Sequence, residues 1–156
     1  MKFLLYILLI NSSVLAQTKQ LDFILIINDK IVSESVIIKC MSLKKNEKDY
    51  KIIGNAKYHP GNLSIKEEVY TQLISDSVAS INLVFNFYTQ DGGKIHYYSY
   101  EIPYNQKWLE AEYCILSIYN LDRGKYKNKL DPLSSTKNYT FEITSPNFTF
   151  IKVRKK

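Results

Sequence analysis

One segment of the chain carries large apolar side chains at every second position, which is the period of a β-strand and not of a helix. Its apolar face holds Ile81, Leu83, Phe85 and Phe87, and the opposite face holds Asn82, Val84 and Asn86. Asp91-Gly92-Gly93 then gives a turn signal, and an aromatic run follows from Ile95 to Ile102. This pattern predicts a β-hairpin. If its loop holds an even number of residues, His96 lies on the face of Phe85, at the edge of the core.

Further runs rich in Ile, Val, Tyr and Phe, each bounded by turn residues, predict additional strands. These runs are Leu21–Ile27, Val36–Leu43, Tyr50–Tyr58, Tyr113–Tyr119, Tyr139–Ile143 and Phe148–Val153. Asn28-Asp29-Lys30 is the turn after the first of them. Ser64 and Glu67 form a capping-box pattern with apolar residues at four-residue spacing, which favours one short helix. The alternation of Val69, Thr71 and Leu73 would also fit a strand. The polar segment 121–138 predicts a long loop.

Short strands with frequent turns and at most one short helix favour an all-β fold over alternating β and α units. We therefore expect an antiparallel β-sandwich of immunoglobulin- or transthyretin-like architecture with about seven to eight strands. An open barrel is the alternative. An antibody-type domain carries a Tyr two residues before its second cysteine, where this chain has Glu112, so the expected likeness is one of architecture.

The first sixteen residues have the pattern of an export signal. Lys2 precedes the apolar run Phe3–Ile10, and Val14 and Ala16 stand at the positions that a signal peptidase reads before Gln17. As a helix this run spans only about 12 Å, too short for a hydrocarbon core of about 30 Å. We therefore predict a signal peptide at 1–16, one domain at 17–156, and a secreted or periplasmic protein without stable membrane insertion.

The composition fits one folded domain that does not bind nucleic acid. Hydrophobic residues make up 46% of the chain, enough to fill a core. The formal net charge is +6, but only Arg123 and Arg154 among the 21 basic residues are arginines. Because specific phosphate recognition favours the planar guanidinium fork of arginine, we expect no nucleic-acid partner.

Two cysteines, Cys40 and Cys114, fall on predicted strand faces that also carry aliphatic residues. Both sulfurs are therefore predicted to point into the core. An oxidising compartment would allow them to form a disulfide. The other interpretation is a pair of buried, inert thiols.

The sequence contains no motif that identifies a catalytic or metal site. A nucleophile elbow, a phosphate-binding loop and a dinucleotide fingerprint are all absent, and neither His59 nor His96 belongs to a metal-ligand spacing. His59 precedes Pro60-Gly61 and is predicted to be a turn residue. Neighbouring carboxylates such as Glu110 and Glu112 are typical of solvated charge. We expect no cofactor and no metal, and we favour a non-catalytic protein.

The candidate binding residues are Tyr97, Tyr104 and Trp108. They belong to a group of five aromatic residues within twelve positions, more than one sheet face can bury. Exposed Tyr and Trp offer a large apolar area and a polar tip at little cost in conformational entropy. The sequence thus predicts an exported interaction domain that binds a protein or a glycan through an aromatic sheet face. An inhibitor or immunity-type protein is one form of this hypothesis.

Two alternative functions stay open at this point. The first is a secreted hydrolase whose site is assembled from scattered residues, such as His59 or His96 with a carboxylate. The second is an assembly subunit that associates with itself through an edge strand.

Overall fold

The computed structural model describes residues 17–91, 93–122 and 124–151. The predicted signal peptide lies outside these ranges. The strands are β1 (Thr18–Ile27), β2 (Lys30–Ile31), β3 (Val36–Lys44), β4 (Lys51–His59), β5 (Gly61–Lys66), β6 (Val78–Asp91), β7 (Lys94–Tyr104), β8 (Tyr113–Asn120), β9 (Tyr139–Ser145) and β10 (Phe148–Ile151). The helices of the described ranges are α1 (Glu67–Leu73), α2 (Gln106–Leu109) and α3 (Gly124–Lys127). Within the same ranges, none of these helices has the length and apolar character needed to cross a membrane.

All ten strands belong to one mixed sheet in the order β10-β9-β8-β1-β5-β4-β3-β6-β7, with β2 paired to β1. The predicted all-β class is confirmed, but the antiparallel sandwich of seven to eight strands is wrong. So is the limit of one helix, because the described residues form three. The difference arises at β1, which pairs in parallel with β8 and antiparallel with β5. This strand joins two antiparallel groups that would otherwise be the separate sheets of a sandwich.

The sheet is curled strongly enough to enclose its own core. In the sheet order β1 and β6 are four strand spacings apart, which is about 19 Å in a flat sheet. The rings of Phe23 on β1 and Phe85 on β6 nevertheless stack with their centroids 6.4 Å apart. Tyr100 on β7 and Tyr139 on β9 lie at still more distant positions in the order, and their centroids are 5.1 Å apart. The two ends of the sheet therefore meet across the core.

Side chains, chiefly the Tyr139 hydroxyl, close the seam where the ends of the sheet meet. This hydroxyl accepts a hydrogen bond from the Glu101 N–H at 2.7 Å and donates to the Glu101 carbonyl at 3.0 Å. Lys137 Nζ binds the Glu101 carboxylate at 2.5 Å. Deeper in the core, the Tyr100 hydroxyl donates to Asn120 Oδ1 at 3.0 Å. One tyrosine thus satisfies two backbone groups that β7 presents at its free edge.

The turn between β1 and β2 anchors the long loop that follows β8. Asn28 and Asp29 have φ values of 52° and 64°, the left-handed conformation that a two-residue type I′ turn requires. Asn28 Oδ1 accepts the Asn120 N–H at 2.8 Å, and Asp29 Oδ2 accepts the Tyr126 hydroxyl at 2.8 Å. Lys125 also binds Asp29, and these hydrogen bonds lower the pKa of its carboxyl. The predicted turn is confirmed, and its polar side chains hold the loop and α3.

The predicted helix is present as α1, but the predicted capping box is wrong. β5 pairs with β1 as far as Lys66, so Ser64 is part of a strand. Its hydroxyl donates to Gln20 Oε1 on β1 at 2.6 Å and does not cap the helix. Strand pairing therefore delays the start of the helix to Glu67.

Helix α1 packs against β4 at a glycine. Between Cys40 and Met41 of β3 the pairing with β4 shifts by one residue, which leaves Ile53 as the extra residue of a β-bulge beside Gly54. A Cβ atom added to Gly54 would overlap the Val69 side chain of α1. The absence of a side chain at Gly54 therefore lets the helix approach the sheet.

We predict that Gly54→Ala destabilises the fold by about 1–3 kcal/mol, because the new methyl group forces α1 away from β4. Gly124→Ala is the matched control, since its added Cβ meets no atom within 4 Å among the described residues beyond its chain neighbours and its own helix backbone. Urea unfolding of both variants measures the difference. Equal stability of the two variants would contradict the close approach of helix and sheet.

We also predict that Tyr139→Phe lowers the free energy of unfolding by about 1–3 kcal/mol, since it leaves both backbone groups of Glu101 without their partner. Tyr113→Phe removes the hydroxyl of a 41% exposed tyrosine and serves as the control. Thermal and urea unfolding report the change. A Tyr139→Phe protein as stable as the control would show that the seam does not need this hydroxyl.

Candidate binding surface

The three predicted binding residues do not form one surface. Tyr97 is 80% exposed, whereas Tyr104 is buried with 4% exposure. At about 3.4 Å per residue they lie about 24 Å apart along β7, and the alternation of the strand puts them on opposite faces. Trp108 is half-buried in α2, beside Tyr104. Tyr97 thus belongs to one region, and Tyr104 with Trp108 belongs to another. A binding role for each of them stays a prediction.

Tyr97 lies on a two-stranded arm formed by the ends of β6 and β7. β3 pairs with β6 only as far as Phe85, but β6 and β7 continue to pair from Asn86 and Ser99 onwards to the hairpin turn. This extension measures about 20 Å at 3.4 Å per residue. His96 shares the face of Phe85, as an even loop predicts, but it is exposed because the arm extends beyond the core.

The outer face of the arm carries a patch of exposed apolar side chains. Tyr88 pairs directly with Tyr97, and Ile95 lies on the same face of β7, two residues before Tyr97. Ile37 of β3 joins them, since it precedes the Ile38–Phe85 pair and points to the outer side. Their exposed fractions are 64% for Ile37, 65% for Tyr88, 54% for Ile95 and 80% for Tyr97. We call these four residues the arm face. Exposed apolar patches are enriched at the binding surfaces of folded domains.

Strand geometry brings the two tyrosines of the arm face together. The backbone groups of Glu101 point to the free edge of β7, where Tyr139 binds them, so those of Ser99 and Tyr97 point the same way. Tyr88 and Tyr97 are therefore a non-hydrogen-bonded pair, in which side chains lie closest, and their ring centroids are 6.4 Å apart. No hydrogen bond from the described residues engages either hydroxyl. Within the described residues, both polar tips thus lie on exposed side chains, 65% exposed for Tyr88 and 80% for Tyr97.

A second aromatic cluster lies at the other end of β7. The Trp108 ring stacks on Phe148 with centroids 5.7 Å apart and meets Tyr104 edge-on at 5.1 Å. Phe150, which is 43% exposed, lies 6.4 Å from Trp108 between ring centroids. These residues adjoin or line a shallow groove of about 390 Å³.

Several polar groups in this groove already have partners within the protein. The Ser80 and Tyr50 hydroxyls are 2.6 Å apart, and Gln106 Nε2 donates to the carbonyls of Leu73 and Ser75 at 3.0 Å each. The Gln106 bonds join α2 to the end of α1, and the Tyr50 bond joins the segment before β4 to β6. The Ser80, Tyr50 and Gln106 side chains are therefore engaged within the protein, and a binding role for Tyr104 and Trp108 in this groove stays a prediction.

The cysteines are two separate, buried thiols. Cys40 on β3 is fully buried and Cys114 on β8 is 3% exposed, so the predicted core orientation is confirmed. Both are free thiols in this structure, and a disulfide between them in an oxidising compartment stays a prediction. The Tyr104 hydroxyl donates to Cys114 Sγ at 3.0 Å. Burial raises the pKa of Cys40 to about 12 and that of Cys114 to about 11, so neither is suited to nucleophilic chemistry.

The histidines and carboxylates do not converge on a catalytic site in the described part of the chain. His59 ends β4 before the turn at Pro60, as predicted, and its Nδ1 lies 2.7 Å from the Ser35 hydroxyl. No carboxylate of the described residues binds the other nitrogen of this ring, so the orienting group of a catalytic triad is missing. Over the same residues, no cluster of His, Cys, Asp and Glu side chains could hold a metal ion.

The aromatic run of the sequence predicted an exposed Tyr97, but it did not predict the other three members of the arm face. The outward orientation of Tyr88 could be predicted, because extending the alternation of the strand by one position past Phe87 puts it on the outer side. The even hairpin loop then places Ile95 on that side as well. Ile37 could not be found, because its place beside the arm depends on the long-range pairing of β3 with β6.

We predict that both cysteines resist thiol reagents in the folded protein and both react after unfolding without reductant. A pKa of about 11 or higher leaves a thiolate fraction at pH 8 about a hundredfold or more below that of a free cysteine. Labelling with an aromatic disulfide reagent, before and after denaturation, measures the two rates. An unfolded, unreduced chain with no reactive thiol would show that a disulfide forms after all.

Comparisons of the chain with protein-family models, with curated proteins and with solved structures give no match. No relative therefore supplies a substrate, a partner or a catalytic residue. The activity of the chain has to be inferred from what the fold exposes, which is the arm face, and from the groups that it buries.

Proposed function

We propose that the chain is an exported, non-catalytic interaction domain that binds a partner protein through the arm face. The observation that carries this proposal is the arm face itself, four large apolar side chains that are each more than half exposed on one side of adjacent strands. Half of the large apolar residues exposed in the described ranges lie there. Exposing them to water is costly, and a partner that covers them removes that cost.

The tyrosine pair is the expected energetic centre of the interface. Burying apolar surface contributes about 25 cal/mol per Å², and a tyrosine buries about 150 Å² or more. Tyr88 and Tyr97 also carry hydroxyls that are not used within the described residues, so they can bind polar groups of a partner. Aromatic residues of this type dominate the affinity of many protein interfaces.

The shape and chemistry of the arm favour a protein over a glycan. Sugar sites combine an aromatic ring with several converging polar groups in a cleft. Asn86 and Ser99, the polar neighbours of the tyrosines, hydrogen-bond to each other at 3.1 Å. The arm also projects from the body, and a narrow projection fits into a depression on another protein. This geometry suits an inhibitor or immunity-type protein, which needs a binding surface and no active site.

Export is the second part of the proposal, and it is supported by the sequence of residues 1–16. The low reactivity expected of the two buried thiols is compatible with an oxidising compartment, since thiols that do not ionise do not oxidise readily. A secreted or periplasmic domain meets its partner outside the cell membrane. The partner is therefore sought in envelope and medium fractions.

We predict that replacing Tyr88 and Tyr97 by Ser weakens binding of the partner at least about thirtyfold, or about 2 kcal/mol, without unfolding the domain. The partner is first isolated by affinity purification of the tagged protein from native envelope and medium fractions, with mild crosslinking. Its affinity for purified variants is then measured by calorimetry.

Tyr113→Ser is the matched control, because Tyr113 is an exposed tyrosine on β8, away from the arm. The control is expected to bind like the unmodified protein. If the double variant also binds with unchanged affinity, the arm face is not the interface. Retention of the partner by Trp108→Ala at full strength would exclude the Trp108 cluster from the interface and assign it to packing.

A further inference from the structure

The free edge of β7 is protected over one part of its length and open over the other. In its protected part, Glu101 has its N–H and carbonyl bound by Tyr139, and Pro103 has no N–H to offer. From residue 95 to residue 99 neither device is present. β6 is the only neighbour of β7 in the sheet described here, so the backbone groups of the open part face outward.

Proteins normally guard such edges with lysine, proline or a β-bulge. The segment Ile95–Ser99 contains no lysine and no proline. Its pairing with β6 is regular, without the register shift of a β-bulge. Its outward backbone groups belong to Ile95, Tyr97 and Ser99, which have the same parity as Glu101. The difference between the protected and the open part of the β7 edge indicates that these five residues can pair with another strand.

We propose that Ile95–Ser99 pairs antiparallel with the same segment of a second copy of the chain, centred on Tyr97. In this register Tyr97 lies opposite Tyr97 of the second copy, and Ile95 lies opposite Ser99. Each of these positions directs its N–H and carbonyl to the other strand, so the pairing forms about six backbone hydrogen bonds. The two-fold axis passes between the two Tyr97 residues.

The side chains of the segment are compatible with pairing to themselves. On the inner side His96 lies opposite Tyr98 of the second copy. Lys94, at the end of the segment, lies opposite Tyr100, so no two like charges face each other across the axis. This self-complementarity favours a second copy over an unrelated strand. Because Tyr139 occupies the edge at Glu101, pairing stops there and the contact stays short.

Pairing leaves the arm face uncovered and doubles it. Tyr97 of both copies and Tyr88 of both copies come to lie in one row across four strands, on the same side of the joined arms. The dimer thus goes beyond the proposed function, since it uses the edge of the arm and leaves its face free. Loss of dimerisation can therefore be measured independently of loss of partner binding.

The test is the concentration dependence of the molecular mass. The chain is expressed in full in an exporting host, purified, and studied by sedimentation velocity over about two orders of magnitude in concentration. The mass is expected to rise from that of one chain to that of two. A protein that stays monomeric over the whole range would overturn the proposal.

Ser99→Pro removes one outward N–H without touching the bonds between β6 and β7, and it is expected to raise the dissociation constant at least about tenfold. Ser99→Ala is its control and is expected to dimerise like the unmodified protein. If Ser99→Pro fails to fold, Tyr97→Lys places two like charges opposite each other on the axis, with Tyr88→Lys as its control.

Dimers of Ser99→Pro or Tyr97→Lys as tight as the unmodified dimer would show that another surface joins the copies. Partner binding separates this proposal from the proposed function. Ser99→Pro keeps both tyrosines of the arm face and is expected to bind the partner at each site as before, while Tyr88→Lys is expected to lose the partner and stay dimeric.

Discussion

The parallel pairing of β1 with β8 is the constraint on which the rest of the structure depends. Six consecutive residue pairs, from Asp22–Tyr113 to Ile27–Ile118, join an antiparallel group that ends in β10 to one that ends in β7. The inner faces of both groups are apolar, so a flat sheet would leave a large hydrophobic surface in water. Curling brings Phe23 against Phe85 and buries both. One continuous, curled sheet therefore encloses the core that we expected to lie between two separate sheets.

Curling a sheet of this size brings its two ends together and creates the problem of how they meet. The ends are β7 and the group of β8, β9 and β10, and in the described structure they are joined by Tyr139, Tyr100 and Lys137 rather than by strand pairing. A closed barrel requires a fixed strand tilt and stagger, whereas closure by side chains does not. Closure by side chains also leaves β7 as an edge. That edge is guarded where it faces the body and open where the arm begins.

Local sequence patterns predicted the parts of the fold that depend on neighbouring residues. The β6–β7 hairpin, the turn at Asn28 and Asp29 and the existence of α1 follow from alternation, turn chemistry and spacing, whereas the hairpin register depended on whether the loop length is even or odd. The pairing of β1 with β8 joins segments about ninety residues apart, and no local pattern indicates it. The same limit applies to the site. The aromatic run predicted exposed rings, but which rings are exposed depends on where β3 stops pairing.

The exposure of the arm face follows from the register and cannot be relieved by a small rearrangement. Along the arm, Phe87 and Tyr98 face inward and pack against the core, and the Tyr98 ring stacks on Tyr100 with centroids 5.9 Å apart. A slip of the whole β6–β7 hairpin by one residue would turn Tyr88 and Tyr97 inward, but it would expose Phe85 and Tyr100 at the same time, because each strand alternates its faces. Burial of the inner residues therefore keeps the side chains of Tyr88 and Tyr97 exposed to solvent. A fold that keeps this tyrosine pair exposed is stabilised further by any partner that covers it.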